Sequence, residues 1–162
     1  MNGKTVQESS LVMAQQMMPE DANPYGNIHG GVIMKLIDTT AGVCAIRHAR
    51  RNVVTASIDR LDLRTPVYIG ELVILKASVN FVGRSSMELG VRVEAENLQT
   101  GQVRHTSSAY LTFVALDEDG KPTPVPGLIL TTEEEKRRNR EAQSRREVRL
   151  AEKNREKEGR IA

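Results

Sequence analysis

Apolar and polar positions change their spacing several times along the chain. From Thr5 to Met17 they alternate locally, which predicts a first strand ending before Pro19. Residues 18–31 are dense in Pro, Asn, Asp and Gly and read as a long loop. From His29 or Gly30 to about Ala49 the chain is apolar on nearly every side of a helix, through Val32, Ile33, Leu36, Ile37, Ala41, Val43 and Ile46. A helix of that kind is normally buried, and twenty residues make roughly 30 Å of it. Four stretches of strand character follow: Val53–Leu63, Glu71–Val82, Ser86–Glu96 and Gln102–Leu116. Alternation is clearest through Leu89, Val91, Val93 and Ala95, and again through Tyr110, Thr112 and Val114. Short polar or glycine-bearing links join the last three, so they can form an antiparallel meander. Strand, long helix, then four strands is the order of an α+β domain whose antiparallel sheet wraps around one central helix. A helix lying on an outer face of the sheet would give the same order.

The pattern stops near residue 130. Asp117-Glu118-Asp119-Gly120 and Pro122, Pro124 and Pro126 close a first domain, residues 1–130, and from Thr131 the chain is almost wholly charged. Glu133 and Arg137, Glu134 and Arg138, Glu141 and Arg145, and Glu156 and Arg160 stand at the helical i, i+4 spacing. Residues 131–162 therefore read as an exposed, charged C-terminal helical tail with few apolar anchors, prone to fray. The tail holds 11 Lys+Arg and 8 Asp+Glu, against 12 and 13 in residues 1–130, so the net charge of +2 comes from the tail. With no Trp, two Phe and three Tyr, the main domain lacks a base-stacking surface, and nucleic acid is not an expected partner. The run from Val32 to Ile46 is interrupted by Lys35, Asp38, Thr39 and Thr40, so no membrane span is expected. The segment Met1–Thr5 has no secretory h-region, and a lone Cys44 suits a reducing compartment, which together predict a cytoplasmic protein.

Candidate chemistry gathers around the loop and the helix. Gly30 and Gly31 at the helix start leave backbone N–H groups uncovered, aligned with the positive end of the helix dipole, where a carbonyl oxygen gaining negative charge would be stabilised. They would equally serve to turn the loop into the helix. Asp38 shares its helix face with Met34, Ala41, Gly42 and Ala45, and a carboxylate there must be paired or used. It either pairs with Lys35 at the helix edge or acts as general base or nucleophile. Asn23 can orient a water or hold a substrate carbonyl, or simply make the turn before Pro24. His29 can hydrogen-bond substrate or only its local backbone. Cys44, among apolar neighbours, reads as packing. Gly83-Arg84-Ser85-Ser86 combines a cation, two hydroxyls and open backbone, which suits phosphates, although a polar hairpin turn has the same composition. Three scattered His and one Cys offer no metal-ligand spacing, and no Gly-x-Ser-x-Gly elbow occurs, so neither a metal site nor a serine triad is expected.

Taken in order, Asn23, Gly26-Asn27-Ile28-His29-Gly30-Gly31, Met34-Lys35-Leu36-Ile37-Asp38, Asp59-Arg60-Leu61-Asp62 and Gly83-Arg84-Ser85-Ser86 resemble the acyl-CoA hydrolase branch of the hot-dog thioesterases, over residues 6 to 126. The resemblance implies the hot-dog fold and hydrolysis of fatty acyl-CoA to free acid and coenzyme A. It implies Asn23 and Asp38 as the catalytic pair, supplied to one site by different subunits, with the Gly31 N–H polarising the thioester carbonyl. His29 and Gly30 flank that donor. Gly83, Arg84, Ser85 and Ser86, with Arg60 as a further contact, would hold coenzyme A, which is part of the substrate; no separate cofactor is implied. It also implies a homo-oligomer, at least a dimer and typically a hexamer built as a trimer of dimers.

Two other readings compete. Asp21-Ala22-Asn23-Pro24 matches the opening of the Asp-x-Asn-Pro-x-His motif of hot-dog enoyl-CoA hydratases, but Gly26 stands where that motif needs histidine. A non-enzymatic acyl-CoA-binding module would instead use its basic tail to hold a partner, against the opposition of the tail's many Glu residues.

Overall fold

The computed structural model describes residues 1–161, and its central feature is a twenty-residue helix, α2 (Gly30–Ala49), held against one face of a five-stranded antiparallel sheet. The strands are β2 (Leu11–Gln16), β3 (Asn52–Leu63), β4 (Leu72–Val82), β5 (Ser86–Glu96) and β6 (Val103–Leu116), in the spatial order β2-β4-β5-β6-β3. β4, β5 and β6 form the expected meander. β2 and β3, which flank the helix in sequence, end up on opposite edges. The inward residues Val73, Leu75, Ala77 and Val79 of β4, Leu89, Val91 and Val93 of β5, and Ala109, Leu111 and Phe113 of β6 are buried against Ile33, Ile37, Ala41, Cys44 and Ala45 of α2. α2 contacts all five strands, the sheet-around-helix arrangement of the hot-dog fold rather than a helix laid on an outer face.

The amino-terminal segment departs from the expected single strand. Thr5 and Glu8 make a reciprocal cap, with the Thr5 N–H and hydroxyl both donating to Glu8 Oε2 at 2.6 and 3.0 Å. The cap closes one helical turn, α1 (Val6–Ser9), between β1 (Lys4–Thr5) and β2. β1 pairs in parallel with β7 (Leu128–Ile129), far along the sequence. Lys4 Nζ then donates to the Arg47 and His48 carbonyls at 3.1 and 2.9 Å, satisfying acceptors that the end of α2 leaves free.

α2 is buried on one side only. Met34, Val43 and Ile46 remain 37–45% exposed, and Ile58, on the α2-facing side of the β3 edge, is itself 37% exposed. The all-round apolar pattern thus exceeds what one sheet can cover, and one chain is left with an uncovered apolar flank.

The carboxy-terminal helix α3 (Glu133–Ile161) is better held than its composition suggests. A second reciprocal cap starts it, with the Glu135 N–H donating to Thr132 Oγ1 at 3.1 Å and the Thr132 N–H to Glu135 Oε2 at 3.2 Å. Its first half docks on the outer face of the sheet. Ala142 is fully buried, Asn139 Nδ2 donates to the Asn80 carbonyl at 2.9 Å, and Arg149 meets Asp59 at 2.6 Å. Arg145 donates to both oxygens of buried Glu88 and stacks 3.6 Å above the centroid of the Tyr110 ring. Of the four i, i+4 pairs expected, only Glu134–Arg138 forms among the described residues: Glu133 pairs with Lys136, Arg137 with Glu141, and Arg145 turns inward to neutralise Glu88.

His48, fully buried at the end of α2, shares a 2.8 Å hydrogen bond with the Pro126 carbonyl. Burial holds its imidazole below the ordinary pKa, with Lys4 adding to the effect against the opposing influence of the Pro126 bond and Glu8. Below the unfolded pKa of about 6.5 the unfolded chain takes up a proton that the native one refuses. Stability is therefore fully present above that pH and declines as pH falls below it. Thermal unfolding followed at pH 7.5, 6.5 and 5.5 should show Tm dropping in the lower interval, and His48→Gln should flatten the drop. Parallel curves for the two proteins would remove His48 as the cause.

Candidate active site

The loop before α2 is shaped by hydrogen bonds from its own backbone. A 3-10 turn (Pro19–Asp21) is followed by an antiparallel bridge between Ala22 and Ile28, and the Ile28 N–H donates to the Val67 carbonyl at 2.8 Å. Within that bridge Asn23 is a turn residue: its Oδ1 accepts from the N–H of Tyr25 at 2.9 Å and of Asn27 at 3.2 Å. Gly26, at φ +85°, closes the turn with a backbone conformation that only glycine adopts cheaply. The turn and functional readings of Asn23 are therefore compatible. With Oδ1 occupied, Nδ2 is fixed in direction and has no partner among the described residues, leaving Asn23 as a hydrogen-bond donor.

Asn23 lines a cleft of about 290 Å³ together with Asn27, Gly30, Ile33, Leu63 and Thr106. The wall formed by residues 64–71 is tied down by Arg104, which donates to the Pro66 carbonyl at 2.7 Å and to Glu71 Oε1 at 2.8 Å. The Arg104 hydrogen bond holds the Glu71 carboxyl below the usual carboxylate range, so the clamp stays charged well into mild acid.

His29 is the exposed residue preceding α2, and its side chain makes no capping bond. The Gly30 and Gly31 N–H groups belong to the first turn, which has no carbonyls behind it to accept them. A side chain on Gly30 would press on Leu63 at 3.1 Å, whereas one on Gly31 would meet nothing within 4 Å in this chain. The space beside the Gly31 Cα is open for another molecule.

Asp38 lies two turns further on, half-buried beside β3. Lys35 makes no ion pair with it; the Thr55 hydroxyl donates to Asp38 Oδ1 at 2.7 Å. That contact fixes the carboxylate and leaves Oδ2 available. The sequence reading missed Thr55 because a β-branched residue in a strand signals strand and nothing else. Asp38 is absent from the cleft that Asn23 lines. It stands roughly 10 Å along the helix axis from Gly31.

The remaining candidates lie elsewhere. Arg60 is on the outer face of β3, paired in register with Tyr110 and bonded to Asp62 at 2.7 Å. The turn Gly83–Ser86 is closed by the Gly83 N–H donating to the Ser86 carbonyl at 2.8 Å, and a side chain on Gly83 would lie 2.8 Å from Ser86 Oγ. Its outer carbonyls are used, Arg84 by the Val125 N–H and Ser85 by the Ala115 N–H. Ser86 stands opposite Val114, which stands opposite Val54, so this turn lies at the carboxy-terminal end of α2. Gly31 is at the other end, roughly 30 Å away along the helix. One chain therefore keeps the helix-start donors and Asn23 at one pole, Asp38 near the middle and the Arg-Ser-Ser turn at the opposite pole. Cys44 is excluded from chemistry: fully buried, its thiol is pushed up to about 12 by burial.

Comparison with known proteins sharpens this picture. Residues 25–102 match the family model of the thioesterase superfamily. Over 128 residues the chain is 44% identical to the uncharacterized acyl-CoA thioester hydrolase YkhA of Bacillus subtilis, covering 79% of this chain and 74% of that protein. An acyl-CoA hydrolase from Staphylococcus aureus, solved in complex with butyryl coenzyme A, coenzyme A and coenzyme A disulfide, has TM-score 0.89 and 35% identity, covering 96% of this chain and 95% of that one. An apo-hexameric acyl-CoA thioesterase has TM-score 0.90 and 40% identity, covering 94% and 97%. Structures of the Staphylococcus aureus enzyme include separate alanine variants of an asparagine, an aspartate and a threonine, spaced along its sequence by the same intervals as Asn23, Asp38 and Thr55 here.

Proposed function

Because this chain belongs to the thioesterase superfamily, we propose that it is an acyl-CoA thioester hydrolase whose active site is assembled from two copies, Asn23 and the Gly31 amide coming from one and Asp38 from the other. The hydrolase activity rests on the relatives. The division of the site rests on one observation: within a single chain Asn23 and Asp38 do not share a cleft. The uncovered apolar flank of α2 and β3 supports joining two copies along the β3 edge, which has no neighbouring strand beyond it among the described residues. Three such dimers would form a hexamer, and a thioesterase structure it resembles is hexameric. Residues 1–130 are the catalytic domain and 131–162 an appended tail, helical over Glu133–Ile161, and a cytoplasmic site of action belongs to the same reading.

In the reaction, the thioester carbonyl oxygen lies against the Gly31 N–H at the start of α2, where negative charge is favoured. Asp38, oriented by Thr55, either takes a proton from water as the water oxygen adds to the carbonyl carbon, or adds to that carbon itself and is later released by water. The C–S bond breaks, the coenzyme A thiolate departs, and the fatty acid remains. Asn23, with only Nδ2 free, donates to the reacting oxygen. His29 and Gly30 border that pole, and Arg84, Ser85 and Ser86, with Arg60 outside, carry the phosphates of coenzyme A.

The direct test is release of free thiol from acyl-CoAs of increasing chain length. Crotonyl-CoA separates the rival chemistry, because loss of the enoyl absorbance without free thiol would mean hydration. Thr55→Val should lower kcat by about tenfold with KM little changed, and Thr55→Ser should restore it, since only the hydroxyl positions the carboxylate. A Thr55→Val enzyme at full kcat would make the contact a packing feature.

A further inference from the structure

Among the described residues, the second half of α3 rests on nothing of its own chain. The first half crosses the outer face of the sheet along a single row of register partners, Phe81, Glu88, Thr112 and Ser57, which run side by side over β4, β5, β6 and β3. Arg146 lies over the Phe81 ring, Arg145 binds Glu88, and Arg149 binds Asp59, whose carboxylate also accepts from Thr112. The dimensions agree: Asn139 to Arg149 is roughly 15 Å of helix, and three interstrand steps are about 14 Å. Arg149 therefore reaches the β3 edge. Residues 150–161 continue for roughly 18 Å past it, and residues 150–160 are exposed throughout.

We propose that this projecting half of α3 is a clasp that lies across the outer face of a second copy of the chain, alongside that copy's own α3. The inference rests on the pairing of two copies along β3 proposed above, which extends the sheet in the direction in which the helix projects. The overhang spans between three and four further strands at the usual spacing of about 4.8 Å, so it ends over the second copy's meander. Leu150, 42% exposed, falls at the edge itself, where two-fold symmetry brings its own counterpart against it. The face of α3 that turns Ala142, Arg145 and Arg149 to the sheet continues as Glu152, Lys153 and Glu156. These carry both signs, and Lys153 can share the outward Asp62 of a facing β3 with the Arg60 that already bonds it. Symmetry forms each contact twice.

Subunit exchange between two differently labelled batches of the full-length protein measures the clasp, with sedimentation velocity giving the assembly state. A chain ending at Arg149, and the full-length Leu150→Asp variant, should still assemble and hydrolyse acyl-CoA but exchange subunits at least about tenfold faster, a loss of about 1.4 kcal/mol. If the full chain assembles and both variants exchange at its rate, the clasp is wrong and the β3 pairing stands. If the full chain sediments as a single copy, the pairing falls and takes the clasp with it.

Discussion

Asp38→Asn should yield a folded, assembled protein that releases coenzyme A from acyl-CoA about a thousandfold more slowly than the parent, a barrier increase of about 4 kcal/mol. The substitution is nearly isosteric, and an amide oxygen can still accept the Thr55 hydroxyl that Asp38 Oδ1 accepts at 2.7 Å, so the α2–β3 contact survives. What is lost is the ability to take a proton or to attack carbon. Substrate binding should change little, because none of the groups assigned to coenzyme A touches Asp38. Single-turnover rates together with acyl-CoA binding to the variant separate the two effects. Turnover within about tenfold of the parent would remove Asp38 from the chemistry and return it to a helix-edge residue.

The second large effect is complementation between two inactive proteins. Asn23→Ala removes the Nδ2 donor from one pole of α2 and Asp38→Asn the carboxylate from the middle, and each alone should be nearly inert. Co-expressed, the two chains form hybrids in which one site carries both lesions and the other carries none. Random pairing then gives about a quarter of the parent's activity, since two-fold symmetry sorts the intact residues into the same site. Should native mass spectrometry find the hybrids while activity stays at the level of the single variants, the site lies within one chain. Recovery with purified hybrids, absent on mixing at low concentration, would also show that exchange precedes activity.

Much of the fold could be read from the chain. Period-two alternation placed β5 and β6 to within a residue or so, and the glycine-opened apolar run placed α2, because these patterns state which face is buried. The turn α1 was present in the sequence as Thr5-Val6-Gln7-Glu8, a capping box hidden by the alternation around it. The docking of α3 was hidden for a different reason. Its anchors are arginines, and their partners Glu88 and Asp59 lie far away in sequence, so no local pattern announces them. A search for apolar anchors finds almost none and misses that a buried acid, costly if left unpaired, ties the arginine that neutralises it to the sheet. At the site, Asn23, Asp38 and Gly31 could be read because a motif ties them together. Thr55 could not, since its role exists only once β3 has folded back along α2.

The Lys4 and β1 contacts have a consequence for synthesis. β1 finds its pairing partners only when Gly127, Leu128 and Ile129 have been made, so this strand waits for a segment far along the chain before it can be stitched down. The sheet and α2 can assemble in the meantime. Extensions fused ahead of Met1, which is freely exposed, should be tolerated, whereas trimming through Lys4 would leave the seam permanently open.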